Sequence, residues 1–94
     1  MSQLDLIREL DSLIHHVKGA EISDYDLEKY LREILSKYNC FHFRTVYRSN
    51  FYVVFIFMCE NCEVQVSVEY CDCNKISRIE AQVRSRAYEW KKLG

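Results

Sequence analysis

The chain contains no proline, and its two glycines stand at positions 19 and 94 of a 94-residue sequence. An average chain of this length carries about six or seven glycines and four or five prolines. Glycine supplies the positive-φ positions of tight, phosphate-cradling and strained turns. Their scarcity excludes a P-loop, a GxGxxG dinucleotide turn, an EF-hand loop and a GxSxG nucleophile elbow. What is left is a single domain with short connections. At 49% hydrophobic and 14% aromatic residues, the chain is too apolar to remain disordered.

The first half reads as helical. Ser2 is a candidate N-cap, and Leu4, Ile7, Leu10, Ile14 and Val17 recur at helical spacing, with Leu6 and Leu13 widening the stripe. Gly19 sits where a left-handed residue would close that helix. Ser23 and Asp26 resemble a capping box for a second helix, whose apolar stripe is Leu27, Tyr30, Leu31, Ile34, Leu35 and Tyr38. The short link predicts an antiparallel helical hairpin.

From residue 40 the periodicity changes to two. Segments Cys40–Tyr47, Phe51–Cys59 and Cys62–Tyr70 are rich in β-branched and aromatic residues and predict a three-stranded antiparallel meander. Val64, Val66, Val68 and Tyr70 alternate with polar residues, so one face of the third strand is buried. The middle strand is apolar on both faces. Its odd positions Phe51, Val53, Phe55 and Phe57 join the valines. A three-residue turn, Arg48-Ser49-Asn50, brings Phe41, Phe43, Thr45 and Tyr47 to that same face, and a one-residue slip would replace them with His42 and Arg44.

After Asn74, residues Ile76, Ile79, Val83, Ala87, Trp90 and Leu93 fall on one helical stripe. The expectation is therefore an α+β domain of order ααβββα, with the helices on the aromatic–valine face. From residue 27 this order resembles that of a double-stranded-RNA-binding domain. Such domains cluster lysines at the start of the last helix. Asp72-Cys73-Asn74-Lys75-Ile76 offers one lysine beside an acid, so the family is not assigned.

Five cysteines invite a zinc reading: Cys59-x-x-Cys62, Cys71-x-Cys73 and Cys40. In the expected meander the two pairs lie at opposite ends of a strand, about 30 Å apart at ~3.3 Å per residue. One zinc cannot hold both. Cys40 and His42 are expected on the opposite face from Cys59. Glu60 and Glu63 disfavour a thiolate at Cys59 or Cys62. The cysteines are read as ordinary thiols in a hydrophobic, unstapled core, with a metal site or a Cys59–Cys62 redox pair or disulfide as alternatives.

His15 and His16 point about 100° apart near a helix C-terminus, where positive charge suits the dipole. No nucleophile is fixed beside them, so no enzyme and no cofactor are expected. Glu21, Asp24, Asp26 and Glu28 suit the first turn of the second helix and also offer a docking patch for a basic partner. Charge is uneven along the chain. Residues 1–39 carry five basic and eight acidic side chains, residues 40–73 two and four, and residues 74–94 six and two, for a total of −1. Near neutrality argues against a dedicated nucleic-acid binder. The alternative is kept through Lys75, Arg78, Arg84, Arg86, Lys91 and Lys92 of the expected last helix.

The distinctive surface is the second face of the middle strand: Tyr52, Val54, Ile56 and Met58. Val46 lies to one side, and Glu63, Gln65, Ser67 and Glu69 to the other. If every helix packs on the other face, an apolar stripe with a polar rim stays open, and such patches mark interaction sites. The expected function is a small non-catalytic protein-binding module. It would be a regulator or inhibitor that blocks a larger target, as phage antagonists of host defence and toxin-immunity proteins do, with a homodimer as another use of the face. No run reaches the ~18 apolar residues of a membrane span and no signal-peptide pattern opens the chain, so a cytoplasmic location is expected.

Overall fold

The computed structural model describes residues 3–38, 40–59, 62–71 and 74–85, without the side chains of residues 3, 40–46 and 85. Two helices, α1 (Gln3–Val17) and α2 (Asp24–Ser36), precede four strands: β1 (Cys40–Arg48), β2 (Tyr52–Cys59), β3 (Cys62–Cys71) and β4 (Lys75–Ser85). The strands form one antiparallel sheet in the order β1-β2-β3-β4. No helix among the described residues is long and apolar enough to cross a membrane.

The helix signals work locally as the sequence implies. The Ser23 hydroxyl accepts a hydrogen bond from the Asp26 backbone N–H at 3.2 Å, capping α2. Gly19 adopts φ 81° just after α1, the left-handed conformation that ends a helix at little cost to glycine. Ser2, the expected cap of α1, lies outside the described residues.

Both helices pack on one face of the sheet, α1 against β4 and α2 against β1 and β2. Leu6, Leu10 and Val17 of α1 and Leu27, Leu31 and Leu35 of α2 meet Phe55, Phe57, Val64, Val66, Val68 and Ile76 in one core. The expected stripes were wider than the buried ones. Leu4 and Ile7 are 58% and 45% exposed, and Tyr30 is 45% exposed.

The C-terminal element corrects the expected ααβββα order. Lys75–Ser85 is a fourth strand where a helix was predicted. Ile76, Ile79 and Val83 fit a helical stripe, yet Ile79, Ala81 and Val83 also alternate with Glu80, Gln82 and Arg84. The strand prevails because it closes the second edge of β3, setting Val83, Ala81 and Ile79 opposite Val64, Val66 and Val68. Tertiary pairing overrides a weak local preference. With no helix at 75–85, the likeness in element order to a double-stranded-RNA-binding domain is lost. Residues 86–94, including Ala87, Trp90 and Leu93, lie outside the described residues.

The first hairpin keeps the expected face at Phe43 and Thr45 but not the expected pairing. Phe43 and Thr45 stand opposite Phe57 and Phe55, and His42 and Arg44 opposite Met58 and Ile56. A register shift between Thr45 and Tyr47 then moves Tyr47 opposite Val54 and off the Phe55 face, where it is 53% exposed. Phe51 also leaves the core. It sits in the turn, 60% exposed, its carbonyl accepting from the Tyr70 N–H at 2.8 Å.

Candidate protein-binding face

Residues directly opposed in an antiparallel ladder share a face. Alternate residues of a strand share a face, so Tyr52, Val54, Ile56 and Met58 of β2 lie on one side of the sheet, as the sequence implies. Among the described residues no helix lies on this Ile56 face. Val54, between Tyr47 and Ser67, is only 8% exposed, while Tyr52, Ile56 and Met58 are half-buried. The Tyr47 and Tyr52 rings meet edge to face at 5.7 Å, so Tyr47 belongs to this surface instead of the core. Val46 stands at the register shift between Thr45 and Tyr47, and its side chain lies outside those described.

The other half of the face is a polar ladder that sequence reasoning missed, because β4 was read as a helix. Glu63 stands opposite Arg84, Gln65 opposite Gln82, Ser67 opposite Glu80 and Glu69 opposite Arg78. The signal was present as the strict alternation from Arg78 to Arg84. Arg78 donates to Glu80 through Nε at 3.1 Å and Nη2 at 2.7 Å, and this carboxylate raises the arginine pKa above its ordinary value. Arg84 approaches Glu63 at 3.7 Å. Tyr52, Ser67, Glu69, Arg78 and Glu80 line a shallow groove of about 250 Å³ where the two halves meet.

The acidic group does not join this face. It sits at the start of α2, on the helix side of the sheet. Asp24 forms an ion pair with Arg48, whose guanidinium lies 5.8 Å from the Tyr25 ring centre. Glu28 accepts from Arg32 Nε at 2.9 Å. Glu21 pairs through its backbone with Lys75 and is exposed, as is Asp26. Half of the cluster is thus neutralised within the chain.

The basic helix of the nucleic-acid alternative is not formed at 75–85. Lys75, Arg78 and Arg84 lie on β4, where Arg78 and Arg84 each face a carboxylate, while Arg86, Lys91 and Lys92 lie outside the described residues.

Cys59 corrects the reading of all five cysteines as ordinary thiols, because it is disulfide-bonded. Cys62 and Cys71 are not in disulfides. A register shift between Cys40 and His42 also places Cys40 directly opposite Cys59, against the expected separation. Disulfides persist mainly in oxidising compartments, so this bond and the expected cytoplasmic location pull in opposite directions. Among the described residues no group of three or more His, Cys, Asp or Glu could hold a metal ion. His15 and His16 are exposed and border an open groove between α1 and α2 with Glu9 and Ile34; His15 Nδ1 lies 2.9 Å from the Asp11 carbonyl oxygen.

No known family, no curated protein and no solved structure matches this chain.

Proposed function

We propose that this chain is a non-catalytic protein-binding module whose Ile56 face holds a larger protein target, so that the chain acts as a regulator or inhibitor by occlusion. One observation carries the reading: both described helices pack on the Phe55 face, while the doubly apolar β2 presents Tyr52, Ile56 and Met58, half-buried, beside a charged ladder. An apolar centre with aromatic and Met residues inside a polar rim is the composition of interface cores. A four-stranded sheet also holds its side chains at positions set by cross-strand neighbours. The role of a phage-type antagonist or an immunity protein is compatible with such a face, by analogy of size alone.

Ile56→Lys tests the reading. A lysine at the centre of an interface loses hydration without gaining a counter-ion. The variant is expected to keep its melting temperature within a few degrees and to lose the protein that the unmodified chain captures from its source lysate. A folded Ile56→Lys variant that captures the same partner in the same amount would overturn the proposal.

A further inference from the structure

We propose that the outer edge of β4 is a self-association surface, on which a second copy of this chain lays its own β4 antiparallel about a two-fold axis through Gln82. This surface is the strand edge that borders the polar half of the Ile56 face, and it does not depend on the function proposed for that face.

The sheet order leaves β4 paired on one side, with β3. Its first residues are covered on the other side by the α1–α2 link. Gly19 N–H donates to the Ile76 carbonyl at 2.9 Å, Ile76 N–H to the Ala20 carbonyl at 3.0 Å, and Ile22 N–H to the Asn74 carbonyl at 2.8 Å. The link ends there. From Arg78 to Ser85 no described segment pairs with the outer edge. An exposed edge is a template for another strand, and proteins blunt it with prolines, inward charges or bulges. The other edge strand, β1, carries two register shifts. β4 carries one, opposite Glu69 and Tyr70, at the end already covered. From Arg78 to Arg84 it runs in unbroken register, without proline, and with Ile79, Ala81 and Val83 turned to the core side.

The charge pattern of this stretch selects its occupant. With Gln82 opposite Gln82 of the second copy, each Glu80 faces the other copy's Arg84, twice over, and Ala81 faces Val83. Centring the axis one residue earlier, on Ala81, would set Arg78 against Arg84 twice. Opposite charges across a ladder stabilise and like charges destabilise, so from Glu80 to Arg84 the sequence is complementary to itself in the first register. The second observation is on α1. Its Glu9 flank is turned to α2, where Lys37 Nζ and the Tyr38 hydroxyl donate to the Glu9 carboxylate. Ile7 and Leu4 lie off that flank and are exposed. Because the C-terminal end of α1 is tied to Ile76, its N-terminal end lies toward the far end of β4. The axis through Gln82 therefore brings the two Leu4–Ile7 patches toward each other, in the manner of an isologous interface.

Sedimentation velocity of the full chain, over a concentration series, reads the result. The unmodified chain is expected to show a reversible monomer–dimer equilibrium. Arg84→Glu sets carboxylates against each other and weakens dimerisation roughly tenfold or more. Combining it with Glu80→Arg restores the opposite-charge pairs and the dimer. Gln82→Cys provides a second measurement that tolerates small losses of stability: on mild oxidation, peptide mapping should find position 82 linked to position 82, while Gln65→Cys on β3 gives no such link. A strictly monomeric chain, no 82–82 link, a dimer indifferent to Arg84→Glu, or a dimer lost in Ile56→Lys would each overturn the proposal.

Discussion

In the β1–β2 ladder the backbone of Cys40 stands directly opposite that of Cys59. Opposed residues of antiparallel strands have Cα atoms about 4.5 or 5.5 Å apart, which lies within the range a disulfide spans. Cys59 is disulfide-bonded, whereas Cys62 and Cys71 are not. Peptide mapping of the non-reduced protein is therefore expected to join Cys59 to Cys40. Closing a loop of about 20 residues stabilises the fold by about 3 kcal/mol in the chain-entropy account. Reductant should lower the unfolding free energy by that order, and Cys59→Ser should do the same without reductant. An unfolding curve unchanged by reduction would show that the core stands without the bond.

The two register shifts in β1 explain why this relationship was not legible in the sequence. Alternation gives the faces of Phe43 and Thr45 correctly, because Phe55 and Phe57 demand apolar neighbours. A bulge leaves no such trace in a string of residues, so Cys40 and Tyr47, each beside a shift, were misplaced. β4 was missed for a different reason. Ile79 and Val83 satisfy both periods, and only the unfilled edge of β3 decides between them. The Ile56 half of the candidate face was legible from β2 alone, since a strand apolar on both faces implies two buried or bound surfaces. Its polar half needed β4, and with it came the ladder from Glu63–Arg84 to Glu69–Arg78.

Phe55 tests which face of β2 the helices cover. It is fully buried, in the same core as Leu27 and Leu31 of α2, and stands opposite Val66. Phe55→Ala should cost about 3–5 kcal/mol, the transfer free energy of the ring plus the cavity it leaves. That is a large share of the stability of a domain this size. Urea unfolding measures it, with the slope checked for a constant denatured state. A loss below about 1 kcal/mol would place Phe55 outside the core and reverse the two faces.

Tyr70 makes the last prediction. Its ring is 7% exposed in the core, and its hydroxyl is buried with no hydrogen-bond partner among the described residues. A buried donor left unpaired costs about 1–3 kcal/mol, whereas an apolar replacement of the same shape removes that cost. Tyr70→Phe is therefore expected to raise stability at neutral pH by about 1 kcal/mol. The same hydroxyl shapes the alkaline limb. Burial, reinforced by the nearby Asp24 carboxylate and opposed by Arg48, pushes the phenol up from 10.0 to about 12. The folded state then holds this proton after the unfolded chain has released it. Stability from the raised pKa is intact below the unfolded value and falls as pH climbs from about 10 toward 12. Tyr38, raised to about 12 by its hydrogen bond to Glu9, adds a fall of the same sign. In Tyr70→Phe the decline over that window should be shallower, with the Tyr38 portion remaining. Urea midpoints at neutral pH and through the alkaline window test both parts. A Tyr70→Phe variant less stable at neutral pH would show that the hydroxyl is hydrogen-bonded after all, and an unchanged alkaline slope would show that Tyr70 titrates as an exposed phenol.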